Sequence, residues 1–103
     1  MRIKIGPLVY LVKRRANLTN ADGQKLMGRV QPSEAVIEIE NAQKTEVSVT
    51  VLWHEILHAI LIQTGHAEHD EDLIIALEHG IPQVIAENPE LVEMTLTNKW
   101  PIK

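Results

Sequence analysis

A chain of 103 residues is the length of one compact domain, so residues 1–103 are read as a single unit. Apolar residues make up 45% of it, but the only aromatics are Tyr10, Trp53 and Trp100, so the core has to be aliphatic. A formal charge of -4 argues against nucleic acid as a partner, and the lack of cysteine excludes disulfides and thiolate metal sites, leaving His, Asp and Glu to hold any metal.

The N-terminal residues Met1, Arg2, Ile3, Lys4 and Ile5 lack the uninterrupted apolar core of a signal peptide. The longest apolar stretch, around residues 56–62, is broken by His58 and is too short to span a bilayer. A soluble, cytoplasmic protein with no membrane partner is expected. Nothing in the sequence sets an oligomeric state.

Four short strands are expected first. Ile3 and Ile5 alternate with Arg2 and Lys4, Gly6-Pro7 interrupts, and residues 8–12 form a second run of β-formers. The basic cluster Lys13-Arg14-Arg15 reads as a solvated loop after that strand. Residues 17–28 are polar and contain Asp22-Gly23, so a loop or turn is expected; residues 28–32 read as a third strand. Val36-Ile37-Glu38-Ile39-Glu40 alternates as a strand with one buried face. Its edge is a conceivable site for binding a peptide by strand addition.

From about Thr45 to Thr64 the period changes. The run Val47-Ser48-Val49-Thr50-Val51 favours a strand by propensity, yet Val47, Val51, His54, His58, Leu61 and Ile62 recur at three- and four-residue steps. Thr45 suits an N-cap, Glu46 the first turn and Gly65 the stop, so a helix is expected. A polar connection holds His66 and His69. A second helix follows over residues 71–87, with Ile74, Leu77, Ile81, Val84 and Ile85 as its apolar stripe and a kink or short break at Pro82. Asn88-Pro89 ends it, and residues 91–97 form a last strand or short helix. The fold class is therefore α+β: a small twisted sheet, antiparallel or mixed, packed against two helices.

The chemistry lies in His54-Glu55-Ile56-Leu57-His58. On a helix, residues i and i+4 share a face, so His54 and His58 can aim two imidazole nitrogens at one metal ion. Glu55 stands about 100° around the helix, beside the metal, where a carboxylate takes a proton from a metal-bound water. A catalytic zinc of this type needs a third protein ligand and one open position. Glu71, at the start of the second helix, is the first choice because helices place ligands better than loops. Asp72 points away, Glu78 lies two turns on as a reserve, and His66 and His69 read as exposed loop histidines. His79 reads as surface.

The segment Leu52-Trp53-His54-Glu55-Ile56-Leu57-His58-Ala59-Ile60 resembles the active-site helix of small gluzincin-type zincin metallopeptidases. Short phage- and prophage-encoded proteins, related to the repressor-cleaving peptidases of mobile elements, are the nearest likeness. Such proteins tend to open a second helix with an acidic pair followed by a leucine and a glycine. Here Glu71-Asp72-Leu73 to Gly80-Ile81, then Asn88-Pro89-Glu90-Leu91, follow that pattern. The likeness covers roughly residues 36–91. It implies Zn2+ on His54, His58 and Glu71, with Glu55 as general base, and a peptide or protein substrate. One departure is Pro82 before Gln83, where similar sequences often carry tyrosine; Tyr10 is the only tyrosine in this chain.

Two other readings compete. One is a zinc-containing binding or regulatory module of a mobile element with no catalysis. The other is a metal-dependent endoribonuclease-like hydrolase using His54, His58 and His66. Glu71 as third ligand points to the peptidase, His66 to the endoribonuclease.

Overall fold

The computed structural model describes residues 1–100. They form an α+β domain with four strands, β1 (Arg2–Ile5), β2 (Leu8–Arg15), β3 (Gly28–Gln31) and β4 (Val36–Glu40), followed by three helices, α1 (Thr45–Gln63), α2 (Glu71–Glu87) and α3 (Pro89–Thr97). The strands lie in one mixed sheet in the order β1-β2-β4-β3. β1 and β2 are an antiparallel hairpin across Gly6-Pro7, with Ile5 opposite Leu8. β4 then runs parallel to β2, and β3 runs antiparallel to β4 at the sheet edge.

α1 lies across one face of this sheet. Period-two alternation sends Ile37 and Ile39 of β4 inward, where they meet Ile5, Tyr10, Val51, Ile56 and Ala59. Trp53 packs against the same cluster, so it is a core residue. Apart from Trp53 at its margin, the core is aliphatic but for Tyr10, which is fully buried and whose hydroxyl takes a hydrogen bond from Gln63 Nε2 at 3.4 Å. α1 has the length and composition of a membrane-crossing helix; Val51, Ile56 and Ala59 pack on the sheet and its site-bearing face meets α2, while Val47, Val49, Ile60 and Ile62 stay exposed.

Several expectations are corrected. Lys13, Arg14 and Arg15 belong to β2, not to a loop. Arg14 donates to Ser48 Oγ at 2.8 Å on the α1 side, while Arg15 and Arg29 flank the buried carboxylate of Glu38 from neighbouring strands. β4 is hydrogen-bonded on both sides, so it has no free edge for a peptide; β3 is the edge strand. The N-cap of α1 is Lys44, which gives no side-chain hydrogen bond, and Thr45 is the first helical residue. Of the two forms expected for residues 91–97, strand or short helix, the structure has the helix, which begins at Pro89 and is the third of the fold.

α2 runs through Pro82 without a break, although that proline cannot donate to the Glu78 carbonyl. Its expected apolar stripe is used only in part. Ile74 is 1% exposed against α1, whereas Leu77, Val84 and Ile85 remain exposed. The far half of α2 and α3 thus project from the body, and the molecule measures 56 × 31 × 27 Å.

Candidate metal centre

The site forms where α1 meets the first turn of α2. His54 and His58 stand one turn apart on α1, with Nε2 atoms 3.1 Å from each other. The Glu71 carboxylate closes the group, Oε1 lying 3.0 Å from His58 Nε2 and Oε2 3.5 Å from His54 Nε2. A tetrahedral ion with bonds of about 2.0–2.1 Å keeps its ligand atoms about 3.3 Å apart. Separations of 3.0 to 3.5 Å are therefore those of three donors converging on one point. His54, His58 and Glu71 can hold a metal ion.

Local sequence explains how Glu71 arrives there. α1 stops at Gly65, whose φ of +88° is costly for any residue with a Cβ. There the Gly65 amide bonds the Ile62 carbonyl and the His66 amide bonds that of Leu61, the paired pattern of a Schellman stop. The chain turns back at once, and Asp70 caps α2 by accepting from the amides of Asp72 and Leu73 at 3.0 and 3.2 Å. Ile74 then anchors the new helix against α1. Glu71, three residues before that anchor, faces the two histidines.

Further contacts surround the two histidines. Glu78 is buried, and its Oε2 lies 3.3 Å from His54 Nδ1, the nitrogen away from the metal-facing edge. A carboxylate facing Nδ1 favours the tautomer with the proton on that nitrogen, which leaves Nε2 bare for a metal. Glu78 therefore faces the other nitrogen of His54 and lies outside the group formed by His54, His58 and Glu71. Burial holds the His58 imidazole below its ordinary range; Glu71 opposes that shift, and His54 and His69 reinforce it. A neutral ring is the form that binds a metal.

Glu55 follows His54 on α1 and is only 7% exposed. Loss of hydration raises its carboxyl to about 7; the nearby His54 works against this, while the charges of Glu71 and Glu78 add to it. Glu55 and His54 line one wall of a cleft of about 570 Å³, whose other walls include Met27, Gly28, Val47, Val51, Ile75, Glu78 and His79. Gly28 makes room for this arrangement. A Cβ at that position would lie 2.6 Å from Val51 Cγ1 and 3.3 Å from Glu55 Cγ.

No family model, curated protein or solved structure matches the chain. Function must therefore be read from the residues themselves.

Of the residues singled out by spacing, the structure brings together His54, His58 and Glu71. Asp72 stays exposed, its amide bonded to Asp70. His66 is exposed and bonds Thr64 Oγ1 at 3.2 Å, outside the group. His79 is exposed at the cleft rim. Tyr10 lies in the core beneath α1 and does not line the cleft. His69 departs from the expectation of a free loop histidine: it is half-buried, with its Nδ1 against His58 Nδ1. Sequence reasoning missed the roles of Gly28, Glu78 and His69. Only Gly28 carried a local signal, a glycine opening a strand where another group approaches closely.

Proposed function

We propose that this chain is a zinc-dependent peptide hydrolase. The observation that carries the reading is the placement of Glu55, a buried carboxyl raised to about 7, beside His54 on the wall of an apolar cleft. Two imidazoles and one carboxylate form a donor set suited to zinc, with one coordination position left for water or substrate. When bound there, zinc lowers the pKa of water and polarises a carbonyl oxygen.

The chain's own residues supply the rest. His54, His58 and Glu71 hold the ion, and Glu78 keeps His54 in the correct tautomer. Glu55 accepts a proton at its carboxylate as water attacks the scissile carbonyl, then returns it to the leaving amine nitrogen. A pKa near neutrality suits both halves of that exchange. Gly28 opens the adjacent edge strand β3, so an extended peptide running along that edge would enter the cleft. Glu71 in the metal group supports this reading over the endoribonuclease-like site, which needs His66.

Burial of Tyr10 favours a second reading, a zinc-containing binding module, because the one phenol of the chain cannot donate to a reacting carbonyl in the cleft. Cleavage of a mixed peptide library by zinc-loaded protein, compared with Glu55→Gln, separates the two. Peptide hydrolysis that disappears in Glu55→Gln while zinc is retained supports the hydrolase. Hydrolysis that persists in Glu55→Gln overturns the role of Glu55, and a zinc-loaded wild type that cuts nothing leaves the binding module.

A further inference from the structure

His58 presents Nε2 to the metal group, so its other nitrogen decides whether Nε2 is free to bind. A neutral imidazole carries one proton; a metal on Nε2 requires that proton on Nδ1, and a buried Nδ1–H requires an acceptor. At His54 the group facing Nδ1 is the Glu78 carboxylate, 3.3 Å away. Around His58 Nδ1 the corresponding group is the ring of His69. The two ring centroids are 4.7 Å apart and the planes differ by 25°. With Nδ1 against Nδ1, the rings meet edge to edge in nearly one plane, the geometry of an N–H···N hydrogen bond and not of a face stack.

Which ring donates is set one bond further out. His69 Nε2 lies 2.6 Å from the carbonyl oxygen of His66. A carbonyl has no proton to give, so Nε2 of His69 carries the hydrogen and donates. With one proton on the ring, His69 then has a bare Nδ1, which accepts from His58 Nδ1–H and leaves His58 Nε2 bare. The carbonyl itself is held by the turn that ends α1, where the His66 amide is tied to Leu61. We propose that His69 is a positioning residue that fixes the tautomer and ring orientation of His58 for metal binding, through a relay ending on the His66 carbonyl. This rests on His54, His58 and Glu71 being the metal site.

The test uses the full chain and Zn2+ alone, with affinity measured by competition against a chromophoric chelator at fixed pH. His69→Asn keeps an acceptor, since asparagine Oδ1 is bonded to Cγ as imidazole Nδ1 is. His69→Phe keeps a flat ring but has no acceptor. His69→Phe should bind zinc about 10–100-fold more weakly, the usual effect of losing such a partner, and His69→Asn should stay within about threefold of wild type. In the zinc-loaded protein, the His58 Nδ1–H proton should be visible and slow to exchange in wild type and His69→Asn, and exchange rapidly in His69→Phe. Thermal unfolding of the metal-free variants checks folding, and His69→Ala replaces His69→Phe if the latter does not fold. Equal affinities for all variants overturn the proposal, as does equal weakening of His69→Asn and His69→Phe. A wild type that takes up no zinc overturns the metal site itself, and the proposal falls with it; that failure is distinct because it is seen before any variant is compared.

Discussion

Glu55 links the site to the stability of the fold. The residue is 7% exposed on the face of α1 towards Gly28, and its carboxyl is shifted from 4.5 to about 7 chiefly by loss of hydration. In the unfolded chain the proton leaves near 4.5; in the folded, metal-free protein it stays until about 7. Between these values the folded state binds more protons than the unfolded state, so stability falls as pH rises through the window. The contribution is complete below 4.5 and gone above about 7. At 1.36 kcal/mol per pKa unit the change is about 3 kcal/mol. For a domain of this size that is on the order of 10–20 °C in Tm. Glu55→Gln carries no charge at any pH and lacks this dependence, so the comparison cancels most of the titration of the other carboxylates and histidines. Urea unfolding of both metal-free proteins in chelator, from pH 4.5 to 8, should show Glu55→Gln gaining about 3 kcal/mol relative to wild type across the range. Two curves that stay parallel would refute the claim that burial keeps Glu55 protonated up to about pH 7.

Two further substitutions probe how the site is built. Gly28→Ala places a methyl 2.6 Å from Val51 Cγ1 and 3.2 Å from the Glu38 carbonyl, so the protein should lose about 1–3 kcal/mol. Chemical denaturation checks this, and unchanged stability would mean the β3–α1 approach is looser than described. Asp70→Ala removes the cap of α2, which carries Glu71 one residue later, and should cost about 0.5–2 kcal/mol. Calorimetry of the metal-free protein measures that loss; zinc affinity should weaken in the same variant, because the first turn of α2 frays.

Much of this architecture was legible because local and tertiary signals agreed. Ile37 and Ile39 alternate with charged residues, and β4 buries them on α1. α1 was readable despite the β-branched run at Val47, Val49 and Val51, because the three- and four-residue recurrence that includes His54 and His58 outweighs propensity once one face is buried. What escaped was set by residues distant in sequence. Lys13 and Arg15 look like loop residues until β4 places Glu38 and Glu40 opposite them. The edge strand is β3 and not β4 because the chain crosses over to pair β2 with β4 in parallel, which no local pattern encodes.

The same holds at the site. Glu71 could be chosen from its position at a helix start. Glu78 and His69 could not, since their roles depend on which imidazole nitrogen each one faces. The stripe Leu77, Val84 and Ile85 has the spacing of core residues, but α2 packs chiefly on α1 and α3 and leaves these three side chains exposed.

Metal uptake bears most directly on the whole account. Dialysis of the metal-free chain against Zn2+, followed by elemental analysis and X-ray absorption at the zinc edge, should give one zinc per chain with two imidazoles and one carboxylate in its shell. His58→Ala and Glu71→Ala should each lose more than about 100-fold in affinity, beyond the loss expected for an outer partner. A wild-type chain that takes up no zinc, or holds it equally well without His58 and Glu71, would contradict the assignment of His54, His58 and Glu71 as the metal centre.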